Sequence, residues 1–338
     1  MALANNDIIL RRSVLNSDTV PAQNGGRMAY TQAVSGVKNN VFPDTTNAQR
    51  LSGFTVWRKV FMHINSNTTT ALNNLKVFLS RPTVSDDYWL LQAATATGTE
   101  ATDKNEALLY GVGNLASNVS AGATSITVTC EHADYDTLEP FRVGMLVRIS
   151  NIPVEGGAGT EEFVPLSAVS ITGAAATLTF TGYPLANAYL AADTIVSGVL
   201  EVAAVAGAFN TPVVTSAAGT LAHGTAGNIT VPSKGAISES WTLTFSNATT
   251  FSVSGAVTGA LSGTGTVGAD YSANNASTST PYFSILSAAW GGTFAAGNTV
   301  TFNTTPAAVP LLIRRRIPAG AASQAGNSGL IAWAGESA

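Results

Sequence analysis

Charge is what this sequence most lacks. Asp, Glu, Lys and Arg make up 11% of its 338 residues, against ~25% in typical globular proteins. From Val205 to Ile313 the charged residues are Lys234, Glu239 and Asp270 alone. Gly, Ala, Thr, Ser and Asn fill the gap, and 45% of the chain is apolar. That composition excludes ordinary disorder, which needs high charge and few β-formers. Cysteine is nearly absent too: Cys130 stands alone, so no disulfide forms within the chain. No window offers ~18 consecutive apolar residues, so no membrane-spanning helix is expected. The opening "MALANNDIILRRS" has no basic region followed by a long apolar run, so no secretory signal is expected. The net charge of -4 argues against a nucleic-acid partner. A soluble chain made in the cytoplasm is the expectation.

What is present points to β-structure. "SWTLTFSNATTFSVSG" (Ser240–Gly255) alternates apolar and polar residues on both sides of a turn, as a β-hairpin does, and its polar positions are Thr, Ser and Asn. "FTVWRKVFMHINS" (Phe54–Ser66) has apolar residues on both of its strand faces, as in a strand covered on both sides. "LKVFLSR" (Leu75–Arg81) reads as a second strand, and "SDDYWLLQAA" (Ser85–Ala94) fits either a capped helical turn or a strand. Five short strands separated by Gly-containing turns follow between 117 and 203, which suggests a small barrel or sandwich. A second β-unit follows, with strands near Asn228–Val231, Ser240–Ser246, Thr250–Ser254, Tyr282–Leu286, Thr299–Asn303 and Leu311–Ile317.

The fold expected is therefore all-β, with two or three small β-sandwich or barrel modules and an extended N-terminal arm. Its parts are an arm over 1–53, a β-rich anchoring region over 54–116, a module over 117–203, a linker over 204–225, a second module over 226–322 and a C-terminal tail over 323–338. The arm rests on the turn-rich, irregular look of "PAQNGGRM" and "FPDTTNAQR". It suits packing on a neighbouring subunit or on its own domain.

Several stretches carry chemistry on paper. "GTGTVG" (Gly263–Gly268) spells a dinucleotide fingerprint, but loop-like sequence follows where a helix is required, so a Gly-rich turn is expected. "CEHADYDTLE" (Cys130–Glu139) gathers Cys130, His132, Asp134 and Asp136 as conceivable metal ligands. It has no second Cys/His cluster, and an EF-hand register starting at Asp134 puts Met145 where the bidentate Glu belongs. A solvated acidic loop is expected there, after a strand-end thiol at Cys130 that is buried or half-buried. No nucleophile elbow or zincin motif occurs, and His63, His132 and His223 are scattered. No catalytic residue, cofactor or metal is expected.

"LLIRRRIP" (Leu311–Pro318) is the strongest charge feature. In a strand Arg314 and Arg316 point one way and Arg315 the other. Arg forks suit carboxylates, and residues 117–204 hold nine acidic residues against two basic ones. Arg314, Arg315 and Arg316 are thus candidate subunit-interface residues, with that acidic unit as a target within or between chains. The competing reading is a solvated strand edge that discourages aggregation.

Two blocks resemble virion structural proteins of tailed bacteriophages. One is "NVSAGATSITVT", "FRVGMLVRIS", "EEFVPLSAVSITGAAATLTFTGYPLANAY" and "AADTIVSG"; the other runs from "ESWTLTFSNATTFSVSG" to "LLIRRRIPAGAAS". The resemblance covers 117–322 and carries no catalytic residues. It implies a non-enzymatic component made in the host bacterial cytoplasm and located in the virion. Such a component assembles with copies of itself and other virion proteins, in the tail or baseplate. The alternatives are a capsid decoration or head-fibre protein, and a host-surface carbohydrate-binding adhesin with Trp290 and Trp333 as stacking rings. No nucleic-acid or membrane partner is implied.

Overall fold

The computed structural model describes residues 3–132 and 135–337. The first third contributes β1 (Ile8–Leu15), β2 (Gly25–Gln32), β3 (Phe54–Ile64), β4 (Leu72–Arg81) and β5 (Tyr88–Ala93). The middle contributes β6 (Val112–Leu115), β7 (Ser125–Cys130), β8 (Leu146–Ser150), β9 (Glu161–Pro165), β10 (Ala168–Thr172), β11 (Ala175–Thr179) and β12 (Ile195–Val205). Then come β13 (Ala208–Phe209), β14 (Val213–Val214), β15 (Thr220–Leu221), β16 (Ile229–Thr230), β17 (Glu239–Phe245), β18 (Thr250–Gly255), β19 (Gly259–Ala260), β20 (Gly265–Thr266), β21 (Tyr271–Ser272), β22 (Ser284–Ile285), β23 (Trp290–Gly291), β24 (Thr299–Thr305), β25 (Ala308–Ile317) and β26 (Leu330–Ser337). Helix is confined to short turns, among them α1 (Asn47–Ser52), α2 (Glu100–Asp103) and α3 (Tyr135–Leu138). The all-β expectation holds.

The body is built around one antiparallel sheet in the order β2-β1-β3-β25-β5. Strands β3 and β25 pair over ten positions, from Phe54 opposite Ile317 to His63 opposite Ala308. Both faces of this sheet are covered, as the two-sided apolar pattern of β3 requires. Val60, Met62, Leu311 and Ile313 pack against Leu75, Val77 and Leu79 of β4. On the other face Trp57, Leu90 and Leu312 pack against Leu109, Tyr135 and Phe141 of the middle region.

A second sheet runs β10-β11-β7-β6-β12-β4-β26, with β8 on β12 and β9 on β8. β12 is its hub. The first half of β12 pairs with β6 and β8 of the middle module, and its second half pairs with β4 of the body. One continuous strand therefore couples two cores.

The chain then leaves the body at Val205 and returns at Ala308. The excursion forms an inserted module with its own core. Trp241, Leu243 and Phe245 of β17, Phe251 and Val253 of β18, and Val300 and Phe302 of β24 pack onto Phe283, Ile285 and Phe294. The Phe245 and Phe294 rings stack at 3.9 Å. Trp241 Nε1 donates to Thr304 Oγ1 at 2.9 Å, which satisfies the one polar atom of a fully buried indole.

Four of the expected parts change. The N-terminal arm is not a loose extension: β1 and β2 extend the body sheet, with β1 paired to β3 from Ile8–Ile64 to Arg12–Val60. A charged strand centre hid this. Arg11 is buried in β1, where its guanidinium donates to His63 Nδ1 (3.0 Å), the Tyr30 carbonyl (2.7 Å) and Asn65 Oδ1 (3.1 Å). The linker 204–225 contributes β13, β14 and β15 to the inserted module's sheets. The last strand of the expected second module, β25, and the expected tail, as β26, both belong to the body, where β26 pairs with β4 and puts Trp333 opposite Val77.

Candidate functional site

The arginine triplet is the place to start, because β25 is neither an edge nor exposed. It lies between β3 and β5, with Arg314 opposite Trp57 on one side and Leu90 on the other. The solvated-edge reading therefore fails. The three side chains divide between faces as strand geometry demands.

Arg315 reaches into a polar knot. Its Nε donates to Asp87 Oδ2 at 2.5 Å, and its Nη1 donates to the Pro43 carbonyl at 3.3 Å. Its guanidinium also lies 5.8 Å from the Phe42 ring centroid. Asp87 accepts further bonds from Ser85 Oγ and Asn327 Nδ2. Asp86 accepts from the Ala322 amide at 2.7 Å. One ion pair thus ties the 82–87 loop and the 322–327 segment to the central strand. Arg314 is buried, with Nε 3.9 Å from Glu106 Oε1. Arg316 Nη1 donates to Thr55 Oγ1 at 3.4 Å. The carboxylates that meet Arg314 and Arg315 are therefore Glu106 and Asp87 of the same chain. The acidic middle module spends Glu155 and Glu161 on its own buried Arg148, at 3.1 and 2.6 Å.

The acidic stretch after β7 adjoins this knot. Glu131 accepts from the Thr83 amide at 2.8 Å and from the Tyr135 hydroxyl at 3.0 Å. Burial, reinforced by the Asp87 charge, pushes its carboxyl up to about 8. Glu131 therefore holds a proton near neutral pH. Its neighbour Cys130 is a buried strand-end thiol, as expected, and burial with the Glu131 charge pushes it up to about 12. The His132 ring stacks on Tyr88 with centroids 5.4 Å apart. Of the conceivable metal ligands, Asp134 lies outside the described residues and Asp136 lies in α3. Among the described residues no group of three or more His, Cys, Asp and Glu is arranged to hold a metal ion.

The other candidates sit in structural roles. The "GTGTVG" stretch leads through β20 to β21 with no helix after it, so the strand-to-helix context of a dinucleotide site is missing. A Cβ on Gly265 would come within 2.3 Å of the Phe251 ring, so packing requires glycine there. His63 is fully buried: Nδ1 accepts from Arg11, and Nε2 donates to the Ser233 carbonyl at 2.9 Å. Burial and the Arg11 charge lower it to about 4. His223 is exposed just past β15, with Nδ1 3.3 Å from the Leu221 carbonyl. Trp290 packs among Phe245, Phe251 and Phe294 rather than standing out as a stacking ring, and Trp333 packs on the body core.

Sequence reasoning missed the junction between body and insertion. Ser233 and Lys234 donate backbone bonds to the Thr68 and Ser66 carbonyls at 3.0 and 2.9 Å. Asn275 Nδ2 donates to the Tyr30 hydroxyl at 3.1 Å, and Thr280 Oγ1 donates to Asn67 Oδ1 at 2.7 Å. Arg27 approaches Glu239 at 3.7 Å. One of only two acids in a neutral stretch is the signal that was available: Glu239 accepts from the amides of Ser240, Val257 and Thr258, at 3.0, 3.2 and 2.8 Å, and so holds the β18–β19 turn. Compared with protein-family models, with curated proteins and with solved structures, the chain matches none.

Proposed function

We propose that this chain is a non-enzymatic structural component of a bacteriophage virion, present in multiple copies in the tail or baseplate. The observation that carries the proposal is the architecture of the insertion. A module of about a hundred residues with three charged side chains is held at both ends by strands of one body, β12 and β25. Such a module is displayed rather than tethered. Its neutral surface suits burial against other subunits, because every charge buried in an interface brings a desolvation cost. The body supplies the rigidity, with two cores coupled through β12 and Arg315 paired to Asp87 of the same chain. The sequence resemblance to phage structural proteins supports the same reading.

Immunogold labelling of purified particles with an antibody to residues 206–307 tests it. Gold on the tail or baseplate is the expected result. Gold on the head transfers the chain to capsid decoration, and unlabelled particles refute the virion reading.

A further inference from the structure

The side of the β24-β17-β18 sheet facing away from its aromatic core has an unusual chemistry. Register places Thr242 between Thr301 and Ser254, and Thr244 between Thr299 and Ser252. All six are exposed or half-exposed, whereas their neighbours Trp241, Leu243, Phe251, Val253 and Val300 are buried on the opposite side. The single acid in these strands, Glu239, lies on the buried side and is held by the 257–258 turn. The outward face therefore presents rows of hydroxyls and no charge.

We propose that this face is the contact through which two copies of the chain meet, about a two-fold axis. The inference rests on the multi-copy structural reading above and names the surface and the partner. A two-fold contact sets a surface against itself. A carboxylate or ammonium set near its own copy repels it, and it cannot serve as both donor and acceptor. A hydroxyl is donor and acceptor at once, so a Ser or Thr row is chemically complementary to itself. The net charge of -4 gives two copies a weak, salt-screened repulsion in any orientation, and this face adds no local like-charge pair to it. Strand spacings of about 4.8 Å and rises of about 3.3 Å per residue make this three-strand face roughly 300 Å². A standard stable interface buries about 800 Å² per partner. The contact is thus weak in a single pair and gains strength where many copies are held together.

Sedimentation velocity over a concentration series tests the proposal. Wild type is expected to show a weight-average sedimentation coefficient that rises with concentration. The Thr242→Lys/Thr301→Lys variant is expected to associate at least about tenfold more weakly, because like charges then face each other across the axis. Its melting temperature should fall by no more than a few °C: the two lysines stand opposite each other on paired strands, a small like-charge cost at half-exposed positions. Mixing it with Thr242→Glu/Thr301→Glu should restore a complex. A wild type that stays monomeric throughout overturns the proposal, as does a lysine variant that associates like wild type. Saturable polysaccharide binding by a monomer, lost in the lysine variant, assigns the face to a glycan and also overturns it. A monomeric chain that labels in particles refutes this contact and leaves the virion reading standing; association without particle labelling does the reverse.

Discussion

Replacing Glu131 with Gln should make the protein more stable at alkaline pH and leave it almost unchanged in acid. The Glu131 carboxyl titrates near 8 in the folded chain because burial and the Asp87 charge disfavour its ionised form, whereas an unfolded chain releases that proton near 4.5. Between those values the folded state binds one more proton than the unfolded state. Stability therefore falls as pH rises through the window, by up to about 1.36 kcal/mol per pH unit. Integrated from 4.5 to about 8, the loss is on the order of 5 kcal/mol, an upper bound that solvent access to a half-buried group reduces. Gln keeps the acceptor for the Thr83 amide and cannot ionise. Urea unfolding of both proteins at pH 5, 6, 7, 8 and 9 gives the difference directly, and contributions shared by both cancel. The variant's advantage should be near zero at pH 5 and should grow to a few kcal/mol by pH 8. A difference that stays flat from pH 5 to 9 refutes the reasoning, as does a carbon resonance of the Glu131 carboxyl that titrates below pH 6.

Three further outcomes follow from the same geometry. His63 is held neutral and titrates near 4 rather than 6.5, so here the unfolded state binds the extra proton. Its contribution is present above pH 6.5 and declines by roughly 3 kcal/mol as pH falls to 4; an imidazole resonance that titrates near 6.5 contradicts this. Arg315→Met leaves Asp87 buried without its cation and should cost roughly 3–5 kcal/mol, with Asp87→Asn in the same chain recovering part of the loss. Equal costs for the single and double variants in urea unfolding would remove the ion pair from the account. Cys130, buried and pushed up to about 12, should resist Ellman's reagent at pH 8 in the native protein and react on unfolding; rapid native labelling would show an accessible thiol instead.

The sequence disclosed strands better than partners. Alternation placed β17, β18 and β24 because their core positions are large and their outward positions are hydroxylic. The two-sided pattern of Phe54–Ser66 foretold a strand covered on both faces, as β3 is. "SDDYWLLQAA" resolved as β5, with Asp87 spent on Arg315 rather than at a helix start. The expected strand Glu161–Ile171 divides into β9 and β10, on opposite margins of the middle module, with Leu166 and Ser167 between them. What was illegible is long-range pairing. Nothing local in "AVPLLIRRRI" says that β25 crosses back to lie beside β3, some 250 residues earlier in the chain. The same holds for β1, whose Arg11 looks solvated in sequence and is buried because His63, Asn65 and Tyr30 supply acceptors. The arginine triplet drew attention for its charge, and the structure pairs Arg315 with Asp87 of the same chain and buries Arg314 with its Nε 3.9 Å from Glu106, beyond hydrogen-bond reach.

The most direct test of the structural reading is quantitative mass spectrometry of purified phage particles with heads and tails separated. A fixed, low copy number in the tail fraction is the predicted result. Absence from both fractions would contradict the account.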